Sequence, residues 1–319
     1  PAAGPETMPG GPDGQDASGR AVAALPMQQA RDAGSDSAAG AGDGSGAEAA
    51  GLPEAAGSNA ELQGRVPRRP IRIVTGQYAP YTGEDLPEEG MLSEMIRLAI
   101  DRAAPDRGAR VSFINDWKSH IDILLPQGAF DLGLPWFLPD CSRMELLSDA
   151  MRVRCTDYNW SDAMHELVVG YFVRPDSPLR SATAYSALRG ATLCRPRGFY
   201  TFDLEQEGLS PPAVEWENPD SVDECLRMLA DGAVDVVPIS VNVVDEAVAR
   251  LELYGEVAEV PALADIVTMH AIAHRTNPFG RIYLTLVNRG LREMRASGEW
   301  FDIVSRHLAM QAERRAAAE

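Results

Sequence analysis

The sequence predicts an α/β protein made of two similar α/β lobes. Helical segments alternate with short apolar strands from residue 72 onward, and one junction occurs twice, in residues 123–134 and 226–237. In both copies a helical segment stops at a glycine, one residue passes, and a hydrophobic residue followed by aspartate opens an apolar strand. Glycine past a helix end supplies a left-handed cap, and the apolar run suits a buried parallel strand. Chance is the alternative explanation, because such junctions are common in α/β proteins.

The individual elements are predicted from local patterns. Arg72–Val74 is a short apolar strand that leads into a turn-rich loop, residues 76–83. Met91–Ala103 carries apolar residues at helical spacing. The other predicted elements are strands at Glu166–Val173 and Ala271–Ala273, a helix Ile282–Arg295 that stops at Ser297 and Gly298, and a last helix through Trp300, Ile303, Val304 and Leu308.

Composition narrows the classes of function. The chain has 319 residues, 45% of them hydrophobic, which is enough for a sizeable core. A formal net charge of −18 argues against a nucleic-acid partner and against electrostatic docking on anionic lipid. No run of about 18 apolar residues occurs, so no membrane span is predicted. The sequence begins at Pro1 rather than Met, as a processed protein would.

The N-terminal segment, residues 1–68, differs in composition from the rest. Ala and Gly occupy 30 of its 68 positions, and it contains neither an aromatic residue nor a cysteine. Such a stretch cannot bury enough apolar surface to offset the entropy cost of ordering. We therefore predict a disordered leader or tether that is dispensable for ligand binding.

Several short motifs occur in an order that a known family shares. They are Tyr78-Ala79-Pro80-Tyr81, Gly90–Met95, Trp117 followed by Gly128–Asp131, Leu188–Thr192, Gly232–Asp235 and Met294–Trp300. In this order they resemble the family 3 extracellular solute-binding proteins of ABC importers, the polar amino-acid receptor class. The resemblance covers about residues 70–310.

The resemblance implies a periplasmic-binding-protein-like II fold, with two hinge crossovers near Ser161 and Thr268. Lobe 1 would comprise residues 69–160 and 269–319, and lobe 2 residues 161–268. The lobes would close around a small polar ligand. The resemblance further implies a periplasmic monomer that needs no cofactor or metal and presents its ligand to the membrane subunits of an ABC importer.

The resemblance also suggests ligand contacts from lobe 1. Arg143 falls where the family's carboxylate-clamping arginine lies, and a guanidinium offers a bidentate fork to a carboxylate. A surface ion pair with Glu145 or Asp149 is the alternative for Arg143. The flat walls of the cleft would be formed by Tyr78, Tyr81 and Trp136, for which a core role is the alternative.

Across the cleft, the segment after Arg197 matches the family's glycine–threonine turn at the start of a helix. The matching residues are Gly198, Phe199, Tyr200 and Thr201. Free backbone N–H groups at a helix start bind anionic oxygens. An ordinary capped helix is the alternative.

One position departs from the family pattern in a way that affects the ligand. Five residues after Asp235 the family has an aspartate that pairs with the ligand's α-ammonium group, whereas this chain has Ser240. A neutral hydroxyl cannot neutralise a buried ammonium, and an unpaired buried charge is costly. We therefore expect a ligand that carries a carboxylate and no free α-amino group.

The four cysteines lack the CxxC spacing of zinc or thioredoxin chemistry. Their even number fits disulfide pairing in an oxidising compartment, with four buried thiols as the alternative. Within the lobes that the resemblance implies, Cys141 would pair with Cys155, and Cys194 with Cys225. Both bridges would close short loops without crossing the cleft.

Enzyme functions find little support in the motifs. No GxSxG elbow, HExxH helix, Walker loop or Rossmann fingerprint occurs in a suitable context. His270 and His274 have a spacing that metals use, but in an apolar strand two structural histidines are commoner.

Two other functions remain open. Cyclohexadienyl dehydratases resemble the same receptor fold, and Asp149, Asp140 and Glu166 are the carboxylates nearest the predicted cleft. The other alternative is a ligand-sensing partner of a membrane kinase or of a periplasmic dehydrogenase.

Overall fold

The structure is a computed structural model that describes residues 66–318. Val66 packs into the hydrophobic core, and the carbonyl of Pro67 accepts a hydrogen bond of 2.7 Å from Arg107. Packed structure therefore begins before Arg69, and the expected end of the leader at residue 68 was too late. The remainder of the expected leader, residues 1–65, lies outside the described residues.

Strands and helices alternate along the described part of the chain. The strands and the longer helices are β1 (Ile71–Thr75), α1 (Met91–Ala103), β2 (Ala109–Phe113), β3 (Leu132–Phe137), α2 (Asp149–Asp157), β4 (Tyr158–Trp160), β5 (His165–Val173), β6 (Thr192–Cys194), β7 (Glu215–Glu217), α3 (Val222–Ala230), β8 (Val237–Ser240), α4 (Val241–Leu251), β9 (Ala258–Glu259), β10 (Asp265–His274), α5 (Gly280–Ser297) and α6 (Glu299–Ala318). Short helical turns lie at Pro87–Glu89, Trp117–Ser119, His120–Leu124, Cys141–Leu146, Pro178–Ser181, Tyr185–Leu188, Leu204–Glu207 and Pro261–Leu263.

The repeated helix–glycine–strand junction is confirmed. Gly128 and Gly232 both adopt a left-handed backbone, with φ of 69° and 76°. A side chain at such a φ would be strained, so glycine is the residue that lets the chain turn back after the helix. The strands that follow, β3 and β8, are buried along their whole length.

The main sheet has the strand order β2-β1-β3-β10-β5-β8, with β4 pairing with β10 and β9 with β5. Strand β1 runs parallel to β2 and β3, whereas β10 is antiparallel to β3 and β5. A separate pair of parallel strands consists of β6 and β7. Because parallel strands end at one edge of a sheet, the loops that follow β1 and β3 meet there.

Strands β5 and β10 lie side by side and join the two halves of the sheet. Their register pairs His165 with Met269 and Val169 with Asp265. Strand β10 also pairs with β3 and β4, and β5 also pairs with β8 and β9. We keep the division that the resemblance implied as a naming convention, with lobe 1 for residues 69–160 and 269–319 and lobe 2 for residues 161–268.

Both predicted disulfides are present. Cys141 bonds to Cys155 with an S–S distance of 2.01 Å, and Cys194 bonds to Cys225 with an S–S distance of 2.05 Å. The first joins the helical turn Cys141–Leu146 to α2, and the second joins the end of β6 to α3. Each bridge stays within one lobe.

The helices of residues 66–318 include none that is long and apolar enough to cross a membrane.

Candidate functional site

An aromatic cluster fills the space between lobe 1 and lobe 2. The Phe199 ring of lobe 2 lies 5.7 Å, between centroids, from both Tyr78 and Trp117 of lobe 1. Tyr200 of lobe 2 stacks on Phe137 of lobe 1 at 5.9 Å. Edge-to-face and offset contacts at these separations are the favoured geometries of aromatic pairs. The two lobes therefore touch through their rings.

Local backbone structure brings the lobe 1 rings to this place. Tyr78 follows the end of β1, in a tight turn closed by a hydrogen bond of 2.8 Å from its amide to the carbonyl of Thr82. A Cβ on Gly76 would lie 2.8 Å from the ring of Trp117, so glycine is needed for the loop and this ring to pack together. Trp136 and Phe137 come from the buried strand β3.

A small cavity of about 20 Å³ lies within the cluster, and we name it the inner chamber. This volume accommodates one or two water-sized groups. The chamber is lined by Tyr78, Trp117, Pro135, Trp136, Phe137, Arg154, Gly198, Phe199 and Tyr200.

Two arginines at this cluster are almost completely buried. Arg154 is 3% exposed and Arg195 is 1% exposed. Arg154 donates to the carbonyl of Gly198 at 2.9 Å, and Arg195 donates to the carbonyls of Tyr200 and Pro238 at 3.0 and 2.6 Å. Within residues 66–318 neither guanidinium forms an ion pair with a carboxylate, although acidic groups further away still attract Arg154.

Buried polar atoms without a hydrogen-bond partner among the described residues occur at the cluster, and apart from His120 Nδ1 four of them can donate. They are Tyr78 OH, Trp136 Nε1, Arg154 Nε and one terminal nitrogen of Arg195. The three nitrogens can only donate, and the tyrosine hydroxyl can also donate. The cluster therefore matches a group that accepts several hydrogen bonds, such as a carboxylate.

The electrostatics of the cluster favour the same kind of group. Burial lowers the pKa of Arg154 and the pKa of Arg195 to about 10, so both stay cationic at neutral pH. Burial also raises the pKa of Tyr78, so its hydroxyl keeps its proton. The guanidinium of Arg154 lies 5.0 Å from the Trp136 ring and that of Arg195 lies 4.5 Å from the Phe202 ring, which compensates part of the lost hydration.

Neither buried arginine was singled out from the sequence. Arg154 directly precedes Cys155, and Arg195 directly follows Cys194. Because both cysteines are in disulfides, the backbone of each arginine is anchored beside a covalent crosslink. An arginine next to a cysteine of each predicted pair was the sequence signal that could have identified them.

The structure does not bring Arg143 to the cluster. Its side chain is 48% exposed, and its Nε lies 3.2 Å from Asp140 Oδ2. The alternative of a surface ion pair therefore describes its position, with Asp140 as partner rather than Glu145 or Asp149. Asp140 also accepts a bond from the amide of Ser142, which fixes its carboxylate beside Arg143 and outside the inner chamber.

Tyr81 and Ser240 meet across the two lobes, outside the inner chamber. Tyr81 OH lies 3.1 Å from Ser240 Oγ and accepts a bond of 3.1 Å from Asn242 Nδ2. Tyr81 is 1% exposed and Ser240 is fully buried. This contact ties the loop after β1 to the junction of β8 and α4.

The glycine–threonine segment of lobe 2 does lie at the cluster, but no α-helix begins there. Gly198 has φ of 81°, and a Cβ on it would lie 2.7 Å from the amide nitrogen of Lys118, so glycine is needed for the lobes to approach. The Thr201 hydroxyl bonds to the carboxylate of Glu205, at 2.8 Å for the closer oxygen.

The helix that the sequence predicted to start at this segment is not observed. The next helix is the four-residue turn Leu204–Glu207, because Phe202 and Asp203 both have positive φ and interrupt any helix before it. The donors at the cluster are therefore side chains rather than a helix terminus.

The residues considered for metal binding or acid catalysis lie elsewhere. His270 bonds through both ring nitrogens, to Ser161 O at 2.9 Å and Thr268 Oγ1 at 2.8 Å, and His274 bonds to Thr276. Residues 66–318 contain no group of three or more His, Cys, Asp or Glu placed to hold a metal ion. The carboxylates of Asp140, Asp149 and Glu166 do not line the inner chamber.

A second, larger cavity of about 460 Å³ also borders the aromatic cluster, and we name it the outer chamber. Residues of both lobes line it, including four carboxylates, those of Asp85, Asp220, Asp223 and Glu246. Tyr78, Trp117 and Phe199 line both chambers. The two chambers therefore adjoin at these three rings.

Comparisons with known proteins identify the fold. No protein-family model and no curated protein matches the sequence. A histidine kinase sensor domain with similarity to periplasmic binding proteins matches with 17% identity and a TM-score of 0.60, covering 76% of this chain and 96% of that domain. ArtJ, an arginine-, lysine-, histidine-binding protein from Geobacillus stearothermophilus, matches with 16% identity and a TM-score of 0.57, covering 76% and 95%.

The periplasmic VFT2 domain of BvgS from Bordetella pertussis matches with 17% identity and a TM-score of 0.57, covering 79% of this chain and 98% of the domain. The chain thus has the periplasmic-binding-protein-like α/β fold that the sequence predicted. Similarity at this level of identity establishes the fold alone.

Proposed function

We propose that this chain is an extracytoplasmic solute-binding receptor. Its lobes close around a small ligand that carries a carboxylate and no free α-amino group, and it presents this ligand to the membrane subunits of an ABC importer. The observation that carries the proposal is the pair of buried arginines, Arg154 and Arg195, which lie at the contact between the lobes without a carboxylate partner.

The chemistry of the inner chamber supports a carboxylate ligand. Arg154 Nε, Trp136 Nε1 and Tyr78 OH belong to residues that line the chamber and lack partners in residues 66–318. Arg195 adds a second positive charge behind the Phe199 ring, 5.1 Å from its centroid. Charge-assisted hydrogen bonds to a carboxylate are about twice as strong as neutral ones. In this proposal Arg154 takes the role that the sequence assigned to Arg143.

We infer that the ligand has no α-amino group because the inner chamber offers no anionic group to accept its hydrogen bonds. The residues that line the inner chamber include no carboxylate. Ser240, which stands where the resembling family has an aspartate, engages Tyr81 with its neutral hydroxyl. A buried ammonium group would have no anionic partner here, and such a charge is costly.

The same lining favours a receptor over a lyase. Acid–base catalysis needs a carboxylate, histidine or similar group with a pKa suited to proton transfer. Of the ionisable groups lining the chamber, Arg154 remains a cation, and Tyr78 and Tyr200 remain protonated because burial raises the pKa of each. Periplasmic location is supported by the two disulfides, which form and persist in oxidising compartments.

A ligand-sensing role is the second candidate, and helix α6 favours it. Arg306 and His307 of α6 bond to Glu94 in lobe 1, whereas Gln311 and Arg314 of α6 bond to α4 in lobe 2. A helix bonded to both lobes would move when they close, as a signalling element must. Uptake of the ligand by cells that produce the protein with its importer supports the first candidate, and ligand-dependent capture of a kinase or dehydrogenase supports the second.

The proposed ligand class can be tested on protein purified without refolding. Denaturation of this protein, followed by mass spectrometry of the released small molecules, should yield carboxylates that lack an α-amino group. Stoichiometric release of an ordinary amino acid would contradict the proposal. Arg154→Met protein, purified in parallel, is the control and should release less of the same compound.

A further inference from the structure

We infer that the Phe199 ring occupies the place where a ligand's side chain would lie, so that the receptor selects compact carboxylates no larger than propionate. The inference rests on the proposed function, because it concerns the ligand of the same cleft. It makes Phe199 the residue that determines ligand size.

The position of the ring carries this inference. Phe199 packs edge-to-face against both Tyr78 and Trp117, whose own ring centroids lie 6.3 Å apart, so the three rings form a triangle. The guanidinium of Arg195 lies over its face at 5.1 Å. Flat aromatic walls with a nearby cation form the kind of slot that would hold the ring of an aromatic acid. Here a ring of the protein itself fills the slot.

The two chambers show the consequence of this position. The inner chamber, which has the unpartnered donors, measures about 20 Å³, whereas the outer chamber measures about 460 Å³. Phe199 lines both, so its ring lies where the chamber with the donors adjoins the larger one. In this inference the carboxylate of the ligand lies beside the donors, and any group beyond one or two further carbons meets the ring.

The backbone around Phe199 is held in place by the same arginines. Arg154 donates to the carbonyl of Gly198 at 2.9 Å, and Arg195 donates to the carbonyl of Tyr200 at 3.0 Å. The amide of Phe199 donates to the carbonyl of Pro196 at 3.0 Å. The backbone on both sides of Phe199 is therefore held by the anion-binding side chains, which fixes the point from which the ring projects.

Phe199→Ala removes a phenyl ring, which is also the group that distinguishes benzoate from formate. The substitution should join the two chambers and leave a slot for this ring beside Arg154 and Arg195. We expect benzoate to bind Phe199→Ala protein at least tenfold more tightly than wild type. Phe202→Ala is the matched control, because Phe202 also lies over Arg195, at 4.5 Å, but lines neither chamber.

The experiment is calorimetric titration of wild type and both variants with acetate, propionate and benzoate, in a buffer free of carboxylates. Fluorescence of Trp117 and Trp136, which line the inner chamber, provides an independent readout. Wild type should bind acetate or propionate at least tenfold more tightly than benzoate. Only Phe199→Ala should gain benzoate binding.

The outcomes separate this inference from the proposed function. Wild type that binds benzoate as tightly as propionate would overturn the role of Phe199 and leave the carboxylate receptor standing, as would equal gains in both variants. Wild type that binds none of these acids, nor the longer hexanoate and succinate, contradicts the proposed function itself. The titration of wild type with acetate, propionate and benzoate needs no variant. It therefore tests the size limit even if Phe199→Ala does not fold.

Discussion

Arg154 and Arg195 are buried cations whose hydrogen bonds in the described residues go to backbone carbonyls alone. Burial lowers the pKa of each from an ordinary value of 12.5 to about 10. A shift of this size corresponds to an unfavourable free energy of about 3 kcal/mol for each charged group. An anionic ligand in the inner chamber, beside Arg154, would recover part of this free energy, which is why we assign the ligand's carboxylate to this chamber.

The exchange of Arg154 for methionine tests this assignment. Methionine keeps much of the apolar length of the side chain and removes the charge, so carboxylate binding should weaken by about 10- to 100-fold, at about 1.4 kcal/mol for each tenfold. Arg143→Met is the matched control and should change affinity less than threefold, because Arg143 is a surface residue paired with Asp140. Titration calorimetry with propionate measures both. A larger loss of affinity in Arg143→Met than in Arg154→Met would assign the carboxylate-binding role to Arg143.

Ser240→Asp tests the inferred lack of an α-amino group. The new carboxylate would lie beside Tyr81 OH, which is 3.1 Å from the present hydroxyl. The Tyr81 ring stacks on Tyr78 of the inner chamber at 5.6 Å, so the new charge would attract an ammonium group from just outside the chamber. We expect binding of L-alanine to improve at least tenfold in Ser240→Asp and not in Ser240→Asn, which has the same shape without the charge. Equal behaviour of the two variants would show that the charge at this position does not select the ligand.

Individual residues of the site were predictable where local chemistry fixes them. Tyr78 and Gly198 belong to turn-rich loops whose type is visible in the sequence, and both lie at the cluster. Arginine side chains are long and usually exposed, so nothing local distinguishes the buried Arg154 from the exposed Arg143. Whether each of these side chains is buried or exposed depends on tertiary packing around the Cys141–Cys155 bridge, which short sequence patterns do not encode.

At the scale of elements, α6 is the helix that connects the lobes. Glu94 of α1 accepts bonds from Arg306 at 2.7 Å and from His307 at 2.7 Å, and the other end of α6 bonds to α4 through Arg314 and Glu246. Burial opposes ionisation of Glu94, but Arg306 and His307 outweigh it and hold the pKa of Glu94 below its ordinary value. Helix α6 is thus held against α1 by an ionic contact in which Glu94 is nearly buried and Arg306 is half-exposed.

Glu94→Gln should loosen this helix. Removing the Glu94 carboxylate leaves the half-exposed Arg306 and the buried His307 without their common partner, and we expect a loss of about 1 kcal/mol in the free energy of unfolding at pH 7. Because the folded-state pKa of Glu94 is lowered, its contribution exists above the ordinary value of 4.5 and is lost as pH falls below it. The difference between wild type and variant should therefore be smaller at pH 3 than at pH 7.

Urea unfolding at the two pH values measures the difference, and hydrogen exchange of α6 shows whether the loss is local. Glu293→Gln is the control, because Glu293 pairs with Arg289 on an exposed helix face and should cost less than about 0.5 kcal/mol. Equal losses in the two variants would argue against a special role for the Glu94 contact.

The sequence predicted most elements because hydrophobic spacing and glycine caps act locally. Helix α1 has the predicted bounds, and α5 ends before Gly298, which has φ of 86° as a left-handed cap requires. Strand β10 is longer than the predicted Ala271–Ala273, because its first half pairs with β5 and needs no apolar run to form. The missing helix at residues 198–201 reflects positive φ angles that lobe contacts impose.

For the whole molecule, stability should fall as pH decreases below neutral, in part through His165. This residue begins β5 and contacts the rings of Tyr81 and Trp300. Burial lowers its pKa to about 4 from an ordinary 6.5. Between these values the unfolded chain binds a proton that the folded protein does not, so stability is present above pH 6.5 and is lost as pH falls toward 4.

His165→Phe should remove this pH dependence. The ring contacts with Tyr81 and Trp300 can remain, and the titrating group is gone. Between pH 7 and pH 5 the free energy of unfolding of wild type should fall by about 2 kcal/mol more than that of the variant. Urea unfolding at the two pH values measures this difference. Parallel curves for the two proteins would contradict the assigned state of His165.

The whole fold was predictable because the order of local elements specifies a known arrangement of two lobes. The contact between the lobes was not predictable, since rings and arginines from distant segments such as residues 78, 154 and 199 meet only after folding. The ligand class therefore depends on tertiary structure, and it is the central claim of this account.

Calorimetric titration of the wild-type protein with propionate and with L-alanine tests that claim most directly, because these two acids differ by one α-amino group. The account predicts that propionate binds and that L-alanine binds at least tenfold more weakly, since the ammonium group finds no anionic partner at the inner chamber. Binding of L-alanine that equals or exceeds that of propionate would contradict it.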